Sequence, residues 1–290
     1  MSNRINTITK KQVAALLKPR PRDSHKGMFG TVTVIGGASG MVGAVLLAGR
    51  AALKTGAGSV NVLFLAENAP AVDPVQPELM LHSASAGFKQ LKPDVIAIGC
   101  GMGDSTPAYQ LLYESLKQNI PLVLDADALN LLASHPDLQD DLHHRQGATV
   151  LTPHPGEAAS LLGCTIAEIQ SDRIGSIRML ARKFECSIVL KGSETLCATS
   201  NGKLYLNKTG NPGMSSAGMG DVLTGMIAAF IAQGLSADDA MLLAVYLHGA
   251  AGDALAEKGI SVGMTASDVT EWVRWLLNQW LGQTTQQNKR

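Results

Sequence analysis

The stretch from Thr209 to Ala237 contains a single charged side chain, Asp221, between a glycine turn and a long apolar run. Gly218 and Gly220 precede this run, so backbone N–H groups can point outward at the positive end of the helix that it predicts. An anion could bind there while the carboxylate deprotonates a hydroxyl group that attacks a phosphoryl group. The alternative is that Asp221 is a first-turn acid that only complements the helix dipole.

A second candidate is Lys191, which follows the apolar part of "IVLKGSET" and precedes Gly192 and Thr195. A lysine at this position suits nucleotide phosphates, because charge-assisted hydrogen bonds to phosphate oxygens are strong. A lone lysine at the end of a strand can equally be a solvated charge. The segment is therefore a candidate phosphate site whose role depends on its neighbours.

Two glycine-rich turns also follow apolar segments, in "VIGGASGMVGA" and "IGCGMGDST". The first matches a dinucleotide-binding fingerprint only loosely, because no acidic residue ends the next predicted strand at Leu65. Each segment could instead be a tight turn without a ligand.

Carboxylates follow two further segments. Asp125 and Asp127 lie at the end of a predicted strand in "LDADALNLL", and His154 and Glu157 stand where a helix begins in "LTPHPGEAASLLG". Asp127 could cap the following helix or touch a ligand. Glu157 could be a first-turn acid or, beside a polyphosphate, could hold magnesium (Mg²⁺) through water.

These residues need elements to position them. Segments rich in Val, Ile and Leu alternate with segments that have apolar residues at three- and four-residue spacing. The pattern predicts an α/β fold with a mostly parallel central sheet and helices on both faces. Ligands of such sheets bind beyond the carboxyl ends of the strands, where the candidate residues lie.

The segments after Lys191 are shorter, and Asn201-Gly202 between them predicts a small antiparallel hairpin with a type I′ turn. The C-terminal third is predicted to be mostly helical. Trp272, Leu276 and Trp280 fall on one face of its last helix, which favours core packing.

Composition limits the function classes. The 290 residues are 46 % apolar, and 24 Lys and Arg balance 24 Asp and Glu, so no general basic field exists for nucleic acid or an anionic membrane. The N-terminus lacks the apolar core of a secretory signal. The cysteines show no C-x-x-C spacing, which favours reduced, buried thiols. We expect a cytoplasmic protein that binds small molecules.

Taken together, the motifs "GGASGMVGA", "GCGMGD", "LDADALNLL", "LTPHPGE", "LKGSET" and "GNPGMSSAGMGDVLTG" resemble the ADP-dependent NAD(P)H-hydrate dehydratase family, which has the ribokinase-like fold. The resemblance runs from about Gly27 to Leu277. It implies a single catalytic domain over 27–283, an N-terminal extension with a short helix over 1–26, and a polar tail over 284–290. It also implies the stand-alone form, without the epimerase domain that is fused to some relatives.

The resemblance implies repair of NADH or NADPH hydrated on the nicotinamide ring (the S epimer, NADHX or NADPHX). ADP would drive the loss of water and leave as AMP and phosphate. Mg²⁺ is the expected cofactor because Glu157, a carboxylate beside the polyphosphate, is placed to hold it through water. A homo-oligomer, of which a tetramer is one form, and a separate epimerase as functional partner are also implied.

The family's roles fall on residues of this sequence that match its motifs. Asp221 is implied as the base that acts on the ring hydroxyl. The remaining implied residues are Ala44, Gly103, His154 and Asp221 for the hydrated dinucleotide, and Lys191, Gly192, Ser193, Glu194, Thr195 and Gly220 for ADP or AMP. The glycine turn itself, not the resemblance, predicts the anion hole at Gly218, Met219 and Gly220.

The sequence departs from the family pattern at two positions. Met41 stands where many members carry an aromatic residue, which leaves the substrate contact there open, and Met219 replaces a small polar residue. Two other functions use the same motifs: an ATP-dependent kinase of a small alcohol, such as hydroxymethylpyrimidine or hydroxyethylthiazole, and a nucleotide sensor without catalysis. The choice between NADH and NADPH hydrates also stays open.

Overall fold

The computed structural model describes residues 5–84 and 91–287, and within 284–287 only the backbone. Strands fall where the apolar segments predict them, with two short additions at β1 and β4. The strands are β1 Ile5–Thr7, β2 Thr31–Gly36, β3 Ser59–Phe64, β4 Met80–Ser83, β5 Val95–Ile98, β6 Leu122–Leu124, β7 Thr149–Leu151, β8 Ser187–Leu190, β9 Leu196–Ala198 and β10 Leu204–Leu206.

Across the described residues, these strands form one sheet in the order β1-β10-β9-β8-β7-β6-β5-β2-β3-β4. The pairs from β8 through β7, β6, β5, β2 and β3 to β4 are all parallel. Strand β9 runs antiparallel to both β8 and β10, and β1 lies parallel to β10. The predicted mostly parallel sheet with a small antiparallel hairpin is confirmed.

Helices cover both faces of the sheet. They are α1 Lys10–Ala14, α2 Val42–Lys54, α3 Thr106–Leu116, α4 Ala126–Ser134, α5 Pro136–His143, α6 Pro155–Leu162, α7 Ile166–Ser171, α8 Arg173–Phe184, α9 Met219–Ala232, α10 Ala237–Glu257 and α11 Ala266–Gln287. Neighbouring strand residues contribute to different cores: Val34 belongs to the core that includes residues of α2, α9 and α10, whereas Ile35 belongs to the core that includes residues of α3, α4 and α6. This alternation explains why the strands are apolar on both faces.

The hairpin turn differs from its prediction. Gly202 takes a positive φ of 78°, but Asn201 is not among the non-glycine residues with positive φ. A type I′ turn requires positive φ at both central residues, so that prediction is wrong. The loop is longer than two residues, and the Gly202 N–H donates to the Thr199 carbonyl at 2.8 Å.

Two local features have no clear sequence signal. Strands β1 and β4 contain three and four residues, too few for a period to be recognised. The helical pattern through 167–185 is divided at Asp172, whose side chain accepts a hydrogen bond from the Gly175 N–H and caps α8. An N-cap within a periodic segment starts a new helix there.

The C-terminal helix packs as predicted. Trp280 is buried, and Trp272 and Leu276 lie against the same core, whereas Trp275 is 51 % exposed on the other side. Helix α11 continues to Gln287, while the domain limits at 26 and 283 stay a prediction. None of the helices in the described part of the chain is long and apolar enough to cross a membrane.

Candidate active site

The carboxyl ends of the parallel strands bring the candidate residues to one edge of the sheet. Asp125 follows β6, and its N–H donates to the Ile98 carbonyl at the end of β5. Lys191 follows β8, and its N–H donates to the Pro153 carbonyl after β7. Residues up to 66 positions apart in sequence therefore meet, as expected for ligand sites in open α/β sheets.

Asp221 lies in the first turn of α9, which begins after Gly218 at a φ of 88°. Burial raises the pKa of Asp221, the Asp125 charge adds to the effect, and the pKa reaches about 6. The nearby Cys100 thiol and the charge of Lys191 act to lower this pKa. A carboxylate with this pKa is ionised at neutral pH and is a stronger base than an ordinary aspartate.

Lys191 is held by Asp125 in a buried ion pair. Its Nζ lies 2.6 Å from Asp125 Oδ1 and 3.7 Å from Glu157 Oε2. Asp125 also accepts hydrogen bonds from the hydroxyls of Thr152 at 2.8 Å and Thr224 at 2.9 Å. The Lys191 side chain is only 18 % exposed, so it is not the solvated charge that the sequence alone allowed.

Both partners of this pair are charged at neutral pH. Burial works to raise the pKa of Asp125, but Lys191 and the hydroxyl donors outweigh it and lower that pKa. Burial likewise works to lower the pKa of Lys191, but Asp125 and Glu157 outweigh it and raise that pKa. Lys191 therefore carries a positive charge near Asp221, and the ionised Asp125 carboxylate balances that charge.

Gly220 connects this pair to the start of α9. A Cβ atom at residue 220 would lie 3.3 Å from Lys191 Nζ and 3.5 Å from Asp125 Oδ2. The first distance is tighter than ordinary contacts allow, so glycine lets the helix backbone come close to the ammonium group. The N-terminal amides of α9 and the Lys191 charge can thus act on one anion.

A cavity of about 460 Å³ opens beside Lys191. It is lined by the residues predicted for the adenine nucleotide, which are Lys191, Gly192, Ser193, Glu194, Thr195 and Gly220, and also by Met219. The sequence analysis missed two other walls, the loop over 207–215 and the α10 residues Val245, His248 and Gly249. The run "NKTGN" was the available signal for the loop, because such residues favour turns.

Ala44 and Gly103 belong to a neighbouring surface. The turn after β5 packs on the start of α2, where a Cβ at Gly101 would lie 3.1 Å from Ala44 Cβ. The Gly103 N–H donates to Asp127 Oδ2 at 2.8 Å. Asp127 therefore holds this turn. It does not cap α4, whose N-cap is Asp125, so that alternative is wrong, and its contact with a ligand stays a prediction. Met41 is 47 % exposed beside the same turn.

His154 and Glu157 start α6. His154 Nδ1 accepts hydrogen bonds from the Gly156 and Glu157 N–H groups, and Glu157 Oε2 accepts one from the His154 N–H at 2.7 Å. This is a reciprocal capping arrangement. The His154 side chain is 55 % exposed and is not among the residues that line the cavity.

Glu157 is a poor direct ligand for Mg²⁺. Its side chain is 5 % exposed, one oxygen accepts the His154 N–H, and Lys191 lies 3.7 Å away. Burial raises the pKa of Glu157, whereas direct coordination of a hard cation needs an accessible, ionised carboxylate. The geometry does not fit direct coordination, and the water-mediated role stays a prediction.

Cys100 is the neighbour of Asp221 that sequence analysis did not single out. Its Sγ lies within 4.8 Å of carboxylate oxygens of Asp125 and Asp221. All four cysteines are free, and Cys164 is partly exposed rather than buried as predicted. The sequence separation of 121 residues between Cys100 and Asp221 leaves no local signal for this contact.

Comparisons with known proteins agree with the geometry. Residues 32–274 match the family model described as NAD(P)H-hydrate dehydratase. The chain is 44 % identical over 273 residues to a bifunctional NAD(P)H-hydrate repair enzyme of Coxiella burnetii, which covers 92 % of this chain but only 54 % of that relative. The chain thus spans about half the length of the bifunctional relative.

A relative of similar length is the ADP-dependent (S)-NAD(P)H-hydrate dehydratase of Neisseria meningitidis. It is 41 % identical over 268 residues, which cover 91 % of this chain and 90 % of that protein. The crystal structure of the ADP/ATP-dependent NAD(P)H-hydrate dehydratase of Bacillus subtilis, co-crystallised with ATP and Mg²⁺, superposes with a TM-score of 0.85 at 31 % identity. The superposition covers 96 % of this chain and all of that one. The chain therefore belongs to the NAD(P)H-hydrate dehydratase family.

Proposed function

We propose that the protein is an ADP-dependent dehydratase that restores NADH and NADPH from their hydrates, acting on the S epimer and releasing AMP and phosphate. The observation that carries this proposal is the position of Asp221. Met219 and Gly220, which precede it, line the cavity together with the predicted nucleotide residues. The Asp221 carboxylate lies within 4.8 Å of Cys100 Sγ, in the turn that packs on Ala44. A base at this junction can reach a hydroxyl group on one side and a phosphoryl group on the other.

The proposed chemistry replaces a poor leaving group by a good one. The Asp221 carboxylate takes the proton of the ring hydroxyl, whose oxygen attacks the terminal phosphorus of ADP while the bond to AMP breaks. The ring nitrogen lone pair then expels phosphate. Loss of a proton from the neighbouring ring carbon regenerates the dihydropyridine, so atoms and charges balance.

The chain's own groups support each role. The pKa of about 6 for Asp221 makes proton uptake at neutral pH more favourable than for an ordinary aspartate. The α9 amides at Met219 and Gly220, together with Lys191, can stabilise the charge on the transferring phosphoryl group. The anion-hole and nucleotide roles of these residues are part of the proposal.

The relatives support the substrates. Their names state NAD(P)H-hydrate and ADP, and the solved relative was crystallised with ATP and Mg²⁺. We include magnesium as a cofactor on that basis, bound with the nucleotide, and no step depends on a protein ligand for it. The homo-oligomer and the separate epimerase stay predictions.

To test the proposed function, purified protein is mixed with hydrated NADH, ADP and Mg²⁺, and the near-ultraviolet absorbance of NADH is recorded. Recovery of absorbance together with AMP and phosphate in equal amounts is expected. A stable phosphoester in place of NADH would indicate a kinase of the kind that the motifs also allow. No recovery with protein in excess over substrate would contradict the proposal.

A further inference from the structure

Asp221 is surrounded by charged groups from several elements, and one thiol, that of Cys100, lies beside its carboxylate. Asp125 and Asp127 face it from the start of α4, and Lys191 faces it from the end of β8. The ammonium group of Lys191 is already paired with Asp125 at 2.6 Å. In the described ranges 5–84 and 91–287, the Cys100 Sγ lies within 4.8 Å of a carboxylate oxygen of Asp221 and of one of Asp125.

The thiol is held in place by its backbone. The Cys100 carbonyl accepts a hydrogen bond from the Gly37 N–H at 3.0 Å, and the next carbonyl, of Gly101, accepts one from the Ala38 N–H at 2.6 Å. A Cβ at Gly36 would lie 2.2 Å from the Cys100 carbonyl oxygen, so the turn after β5 is pressed against the end of β2. Cys100 itself is fully buried, and its Sγ cannot move far from Asp221.

The same surroundings keep the sulfur protonated. Burial and the charges of Asp221 and Asp125 raise the pKa of the Cys100 thiol well above its ordinary value. The S–H group is therefore present at neutral pH. A thiol is a weak donor in water, but a hydrogen bond to a charged group is stronger in a buried, low-dielectric site.

We propose that Cys100 is a positioning residue for Asp221, whose thiol donates a hydrogen bond to the carboxylate and fixes the oxygen that faces the substrate hydroxyl. The proposal rests on the proposed function only in giving Asp221 the role of base. The contact favours the ionised carboxylate and opposes the effects of burial and of Asp125. Cys100 thus keeps the base available at lower pH than its surroundings would otherwise permit.

The direct test follows Asp221 in the ligand-free protein. Carboxyl carbons of aspartate are labelled with ¹³C, and the Asp221 resonance is assigned by its loss in Asp221→Asn. The midpoint is expected near about 6 in the parent. In Cys100→Ala the midpoint is expected to rise by about 0.5–1 pH unit. This is about half of the pKa shift that a strong hydrogen-bond donor to a charged group produces, because a thiol is a weaker donor.

Two variants separate the hydrogen bond from a packing effect. Cys100→Ser keeps a donor, so its midpoint is expected to stay at or below that of the parent. Cys197→Ala removes another fully buried thiol, in β9, and its midpoint is expected to equal that of the parent. A midpoint in Cys100→Ala equal to the parent, or a raised midpoint in Cys100→Ser, would overturn the proposal.

Kinetics give a second readout. The acidic limb of the kcat/KM profile for hydrated NADH is expected to move upward by the same amount in Cys100→Ala, so that the loss is larger at pH 6 than at pH 8. A merely structural role would lower activity equally at both pH values and would overturn the proposal. If the parent itself shows no turnover, the proposed function fails, and the NMR titration still decides the role of Cys100.

Discussion

Replacing Lys191 by methionine removes the ammonium group but keeps the length of the side chain. Asp125 is then left as a buried carboxylate with the hydroxyls of Thr152 and Thr224 as its remaining side-chain donors. Breaking a buried ion pair in this way costs about 3–5 kcal/mol. Because the Lys191 side chain is 18 % exposed and the hydroxyls remain, we expect a loss of about 3 kcal/mol, at the low end of that range.

The same substitution tests the nucleotide site. Removing a charged contact to phosphate weakens binding by about 1.5–3 kcal/mol, which corresponds to an ADP dissociation constant about 10- to 150-fold larger. Calorimetric titration with ADP measures this change in the dissociation constant. The loss of stability is expected as a melting temperature lower by about 6–10 °C.

The double variant Lys191→Met with Asp125→Asn separates the two effects. It removes the unpaired charge of Asp125, so the melting temperature is expected to rise again to near the parental value, while ADP binding stays weak. The reasoning is refuted if Lys191→Met melts like the parent, or if the double variant is less stable than the single one. Unchanged ADP affinity in both variants would remove Lys191 from the phosphate site.

The loss of melting temperature in Lys191→Met is expected to depend on pH and to be smaller at acidic pH. In the parent, Lys191 lowers the pKa of Asp125, so the pair stabilises the fold above the ordinary value of 3.8 and loses this contribution as pH falls through the lowered pKa. In Lys191→Met, burial acts without the ammonium group and raises the pKa of Asp125, so protonation relieves the penalty. The difference in melting temperature between the parent and Lys191→Met is therefore expected to become smaller as the pH falls from 7 to 5.

Two further substitutions test the local geometry. Gly220→Ala places a methyl group 3.3 Å from Lys191 Nζ, so ADP binding measured by calorimetry is expected to weaken at least threefold. The melting temperature is expected to fall by no more than about 2 °C, because alanine favours the helix. Unchanged ADP affinity would contradict the close approach of Gly220 to Lys191. His154→Ala removes the cap of α6 and is expected to lower stability by about 0.5–2 kcal/mol in urea unfolding. A larger KM for the hydrated dinucleotide, with KM for ADP unchanged, would support the substrate contact that the family resemblance implies, and an unchanged KM would remove it.

The sequence predicted the sheet and the helices, and it singled out Lys191 and Asp221 as site candidates, because each of these features leaves a local pattern. Buried parallel strands are apolar runs, Lys191 ends one of them, and Asp221 follows a glycine turn at a helix start. Residues 191–195, predicted for the nucleotide, form one continuous motif that lies along one cavity, and their role in nucleotide binding stays a prediction.

What the sequence could not predict depends on contacts between distant segments. The Lys191–Asp125 pair and the Cys100–Asp221 contact join turns that only the sheet order brings together. The hairpin turn was misjudged because Asn201-Gly202 suits a two-residue loop, whereas the strands end further apart. Strand β1 forms by pairing with the edge strand β10, and its three residues alone carry no pattern that predicts this pairing.

The most direct test of the account is Asp221→Asn, measured for turnover, ADP binding and melting temperature on one preparation. If the carboxylate is the base, turnover of hydrated NADH falls by about 10²–10⁴-fold. ADP binding is retained, and the melting temperature does not fall, because Asn removes a carboxylate whose ionised form burial disfavours. Asp239→Asn, at another helix first turn, serves as the control with parental turnover. If Asp221 only complements the dipole, the change lowers stability by about 0.3–1 kcal/mol and leaves the rate intact, and near-parental turnover in Asp221→Asn would contradict the central claim.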